Sequence, residues 1–124
     1  MASTPTFARG QEQEVIAGGE LEFHRSCATC HGRKGKGNGP MAAMLIIKPA
    51  DLTGLSKRNG GEFPFWRVYG IIDGRQRIQS HGPSEMPVWG ERFKSEAVDK
   101  RADNRSLVAG RILGLVFYLR HIQE

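Results

Sequence analysis

Apolar residues recur at helical intervals in three stretches of the chain, while strand signals are weak, so the pattern predicts an all-α fold. A first helix is expected from about Gln11 to Ser26, with Val15, Ile16, Gly19 and Phe23 near one face. A second is expected from Glu62 to Ile72, with Phe65, Val68, Tyr69 and Ile72 at helical spacing and Gly74 closing it. The last runs from Asn104 or Ser106, either of which suits an N-cap, to Ile122. Its Val108, Ile112, Leu115, Leu119 and Ile122 form an unbroken stripe. That stripe is predicted to cross the first helix at Gly19 and Phe23. Shorter helices are expected at Met41–Ile47, with Met41 and Met44 as core residues beside Leu45, and at Ser95–Arg101. The run from Gly32 to Pro40 is too rich in glycine for regular structure, Pro49–Thr53 reads as a turn, and Arg75–Gly90 reads as a loop. Residues 1–10 read as a flexible tail before one domain, 11–124.

The chain has 124 residues, enough for one domain with a modest core. Its longest strongly apolar run, Ile112–Leu119, falls well short of the ~20 residues a membrane span needs. The formal charge is +5, but no basic helix or interleaving of basic and aromatic residues accompanies it, which argues against nucleic acid.

The most specific chemistry sits in Cys27-Ala28-Thr29-Cys30-His31, the spacing of c-type haem attachment. Two intervening residues let one helical turn bring both sulfurs to the same porphyrin edge. There each forms a thioether with a vinyl group. The adjacent imidazole then reaches the iron as proximal ligand. A redox dithiol with this spacing expects a βαβ setting, which is missing. A zinc site needs a second Cys or His pair, and none follows. A chance pair of structural cysteines is the remaining alternative.

A second iron ligand is expected from Met86, in Ser84-Glu85-Met86-Pro87-Val88-Trp89-Gly90. A thioether is soft, favours ferrous iron and raises the reduction potential. Pro87 restricts its own backbone and that of Met86, which suits a loop holding a ligand still. Methionine is also a good filler of core gaps, and His81 is the rival ligand, giving a lower potential. Trp66 and Trp89 are candidates to pack on the porphyrin edge and reach a propionate through the indole N–H. Arg67, Lys57 and Arg58 are candidates to pair with a propionate.

Taken together, these residues make the chain resemble a class I monohaem cytochrome c of the bacterial type. The resemblance spans Gly19, Phe23 and Cys27 at four-residue steps, the glycine-rich loop after His31, Met86–Gly90, and the Tyr118–Leu119 pair in the closing helix. It departs at Glu91–Arg105, which is long and strongly charged. The resemblance implies crossing N- and C-terminal helices, with short helices and loops wrapped around one covalent haem c. It also implies His31/Met86 ligation, and a carbonyl near Pro40 that accepts the hydrogen bond from the far nitrogen of His31.

The function implied is one-electron transfer without catalysis, by a periplasmic monomer that docks transiently on redox proteins. The donor would be a periplasmic dehydrogenase, with a molybdenum enzyme such as a sulfite dehydrogenase as one option. The other partner would be a cytochrome oxidase or bc1-type complex. Met1–Thr6 has neither a basic start nor an apolar stretch, so a leader removed or replaced is expected. Arg25, Arg33, Lys34, Lys36, Arg92 and Lys94 are candidates for a basic rim that steers an acidic partner. The alternatives are a haem enzyme or gas sensor with an open sixth position, and a dedicated subunit of a dehydrogenase complex using Glu91–Arg105 to dock.

Overall fold

A computed structural model describes residues 6–74, 86–87, 89–96 and 105–124. Its regular structure is helical, with no strand among the described residues. The helices are α1 (Thr6–Ser26), α2 (Ala28–His31), α3 (Phe65–Asp73), α4 (Trp89–Glu96) and α5 (Arg105–His121). Single 3-10 turns lie at Ala42–Met44, Leu52–Gly54 and Lys57–Asn59. Among the described residues, no helix is long and apolar enough to cross a membrane.

The dominant packing is between α1 and α5, where the sequence pattern places it. Phe23, Ile112, Leu115, Val116 and Leu119 are all buried there. Burying one such side chain is worth about 1.5–3 kcal/mol. The rings of Phe23 and Tyr118 meet at 5.3 Å between centroids. Close approach depends on Gly19, because a Cβ built there would stand 1.9 Å from the Gly114 carbonyl oxygen. The crossing point is therefore Gly19 against Gly114, with Phe23 and Tyr118 one turn on.

α3 and α4 complete the core. Pro64 precedes the first turn of α3, and Gly74 ends the helix in the left-handed region at φ 95°, donating its N–H to Gly70 O. Val68 and Ile72 are buried, while Phe65 and Tyr69 pack half-buried against the same cluster. α4 buries Trp89, Gly90 and Phe93.

Three expectations need correction. α1 starts at Thr6, so residues 6–10 are helical and not part of a tail. The helix after the Met86 segment starts at Trp89, earlier than Ser95, because Trp89 and Phe93 face the core one turn apart. Met41 and Met44 are not core residues: Met44 is 76% exposed. A single 3-10 turn at Ala42–Met44 has no continuous face to bury. Residues 1–5, 75–85 with His81, 88 and 97–104 lie outside the described residues.

Candidate functional site

α2 follows α1 after a break at Cys27 and carries Cys30 and His31 on a single helical turn. The turn closes through Cys30 N–H and His31 N–H, which donate to Cys27 O at 3.2 and 2.9 Å. A helix this short leaves its carbonyls without intrahelical partners. The glycine-rich loop supplies them. Gly32 N–H donates to Ala28 O at 2.8 Å, Gly39 N–H to Cys30 O at 3.0 Å and Gly37 N–H to His31 O at 2.7 Å. Met41 N–H donates to Thr29 O at 3.0 Å. Gly37 has φ 84°, and a Cβ there would stand 2.6 Å from Pro49 O, so both its conformation and its surroundings require glycine. The loop thus holds α2 in place.

His31 Nδ1 donates to the carbonyl oxygen of Ala50 at 3.0 Å. A carbonyl can only accept, so the Nδ1 position carries the proton. Nε2 is left with its lone pair. Burial lowers the imidazole pKa, opposed by the bond to Ala50, and this favours the neutral ring. The acceptor expected near Pro40 is therefore Ala50, while Pro40 itself is exposed at the end of the loop.

Several bonds hold the Ala50 segment. The Asp51 carboxylate accepts from Thr53 N–H at 2.9 Å and Thr53 Oγ1 at 2.6 Å. Leu52 N–H donates to Gly35 O at 2.6 Å, which ties the segment to the glycine-rich loop. The C-terminus adds more: Gln123 Nε2 donates to Leu52 O at 2.7 Å, and Glu124 N–H to Thr53 O at 2.9 Å. The two bonds from Thr53 hold the Asp51 carboxyl below the usual carboxylate range. A depressed carboxyl pKa stabilises the fold above the unfolded-state value, and that contribution is lost as pH falls through the folded value. Asp51→Asn is therefore expected to lower the denaturant midpoint at pH 7. The deficit should shrink once acid protonates Asp51 in the parent chain. Equal deficits at pH 7 and pH 2.5 in parallel urea titrations would contradict this.

Both cysteines are partly buried and unpaired. Burial pushes the Cys27 thiol up to about 12, with Glu22 and Cys30 adding to the shift. Such a thiol stays protonated at neutral pH. This counts against Cys27 as the attacking sulfur of a redox dithiol, which works best with a pKa near ambient pH. The zinc reading gains nothing either. Among the described residues there is no cluster of three or more His, Cys, Asp or Glu side chains fit to hold a metal ion.

Met86 is half-buried and packs against the same core cluster as Cys27, Tyr69 and Trp89. Trp89 is buried in α4, its ring 5.8 Å from that of Phe93. Trp66 is 70% exposed on α3, in contact with Phe65 and Tyr69. Arg67 and Lys57 are exposed, and Arg58 donates to Asp51 O at 2.7 Å. Of the expected basic rim, Lys36 is engaged with Glu124 and Thr53 Oγ1, and Arg92 lies over the Trp89 ring. Arg33 and Lys34 are exposed beside α2.

Large apolar side chains remain exposed close in sequence to this loop. The 3-10 turn carrying Met44 packs on α2, and Ile46 just beyond it is 92% exposed. Ala50 had no side-chain signature to reveal it. The Asp51-x-Thr53 capping pattern was the available signal that the segment is fixed. Compared with family models, curated proteins and solved structures, the chain matches none.

Proposed function

We propose that the chain carries one covalently attached haem c, with His31 and Met86 as axial ligands, and serves as a one-electron carrier. The observation that carries this reading is the His31 bond to Ala50, beside two cysteines on the same turn. It leaves Nε2 as the ligating nitrogen and fixes the ring's orientation, as second-shell partners of ligating histidines do. The donor set fits the group: two thiols for the vinyl carbons, a neutral imidazole and a thioether on the core side. The exposed apolar residues near α2 are consistent with a site built to lie against a flat apolar ring.

When bound, the haem supplies a ferric/ferrous couple. The chain's part is to hold the ligands still and to limit water. α2 is locked by the glycine-rich loop, and the Ala50 carbonyl keeps His31 in one tautomer. Pro87 stiffens the backbone beside Met86. A thioether ligand places the couple at the higher-potential end of such sites. With His31 and Met86 both holding the iron, no open position would remain for a substrate. Exposed Arg33 and Lys34 suit a transient encounter with an acidic redox partner. A periplasmic dehydrogenase as donor, and an oxidase or bc1-type complex as the other partner, fit this role.

Visible spectra of the oxidised and reduced protein, followed by carbon monoxide addition, test the reading. The expected result is low-spin iron, a thioether-to-ferric-iron band and no carbon monoxide adduct. High-spin iron or ready carbon monoxide binding would instead favour a sensor or enzyme. Low-spin iron without the thioether band would transfer the sixth position to a ligand such as His81.

A further inference from the structure

We propose that Arg111 is a positioning residue that holds Met86 at the haem iron by clamping α4; this rests on the reading of Met86 as a ligand. The guanidinium of Arg111, on α5, makes three contacts with two other helices. It donates to Glu22 Oε1 on α1 at 2.5 Å and to Glu96 Oε2 at the end of α4 at 3.0 Å. Its central carbon lies 3.8 Å from the centroid of the Phe93 ring, also on α4. Glu22 is only 8% exposed, and Arg111 is its nearest cationic partner, with Arg25 at 3.8 Å as a weaker second. A planar guanidinium can fork between two carboxylates while stacking on a ring; an ammonium cannot.

α4 is the element that bears on Met86. It begins just beyond Pro87, and its buried Trp89 and Phe93 belong to the same core cluster as Met86. Its first turn sits hard against α3, since a Cβ on Gly90 would stand 2.3 Å from Asp73 Oδ1. Its last turn is held by Arg111 through Glu96. The helix is thus fixed at both ends, one end by shape and the other by charge. Releasing the charged end lets α4 pivot on Gly90, and Met86 moves with it. The weak iron–thioether bond is the contact most sensitive to such a movement.

The test uses the haem-loaded protein and two readouts: imidazole affinity of the ferric form, which reports displacement of Met86, and hydrogen exchange of α4 amides. Arg111→Gln is expected to tighten imidazole binding and speed α4 exchange, each by roughly tenfold, as for loss of a partly buried ion pair. Arg111→Lys should restore part of both. Glu96→Gln removes only the α4 arm and leaves Glu22 with its partner. It should shift both readouts in the same direction by about twofold, the scale of an exposed pair. If Arg111→Gln does not fold, Glu96→Gln decides. Variants with lower thermal stability but unchanged imidazole affinity and α4 exchange overturn the proposal and leave the carrier reading standing. A parent protein lacking the thioether band overturns both.

Discussion

On the proposed His31/Met86 ligation, replacing Met86 with alanine is expected to leave a folded haem protein that binds carbon monoxide readily in its reduced form. Methionine-to-alanine removes the thioether and leaves a small space against the core cluster that includes Trp89 and Phe93, on which Met86 packs. Truncating a buried methionine costs about 2–5 kcal/mol, and less here, because Met86 is only half-buried. The thioether lowers the energy of the ferrous state relative to the ferric. Its loss should therefore lower the reduction potential by on the order of 0.1 V, a modest part of the ~0.8 V range that axial ligands command. His31 keeps its bond to Ala50 in the variant, so the proximal side remains a constant reference. Optical titration of the potential and carbon monoxide difference spectra check both effects. A variant that stays low-spin and excludes carbon monoxide would remove Met86 from the iron and place another side chain there.

The helical core was legible because its signal is periodic. Val108, Ile112, Leu115 and Leu119 mark one face of α5, and Gly19 and Phe23 mark the face of α1 that meets it. The turn carrying Cys27, Cys30 and His31 was equally legible, since its spacing is a local property. Features carried by backbone atoms were not. The acceptor for His31 is the carbonyl of Ala50, and any residue type has a carbonyl, so Pro40 was as reasonable a choice from sequence. The clamp at Arg111 was hidden for another reason: it sits beside the apolar stripe, and its partners are 15 and 89 residues away. Met41 and Met44 misled because helical spacing was visible but helix length was not. The chain makes only one 3-10 turn there, and both side chains stay largely at the surface.

Alanine at two adjacent glycines of α1 should move stability in opposite directions. At an exposed position inside a helix, alanine is favoured over glycine by about 1 kcal/mol. Gly18 is such a position: a Cβ there meets nothing within 4 Å. Gly18→Ala is therefore expected to stabilise the fold by up to about 1 kcal/mol. Gly19 gains the same propensity but loses far more. Its Cβ would stand 1.9 Å from Gly114 O, 2.5 Å from Gly114 C and 3.0 Å from Tyr118 Cβ. Two of these atoms are backbone in the middle of α5 and cannot rotate away. The helices would have to separate, loosening the contacts of Phe23, Leu115 and Tyr118 that the crossing buries. Overpacking of this kind typically costs 1–3 kcal/mol and can cost more. Because the obstacle is backbone, we place Gly19→Ala near the upper end, a net loss of about 2–3 kcal/mol after the propensity gain. For a domain of this size the midpoint of thermal unfolding should fall by roughly 10 °C, against a rise of a few degrees for Gly18→Ala. Thermal melts of the two variants beside the parent check the pair. Equal shifts at the two positions would mean that α1 and α5 do not meet at Gly19. The carrier reading would then lose the scaffold that presents α2, since α2 follows α1 directly in the chain.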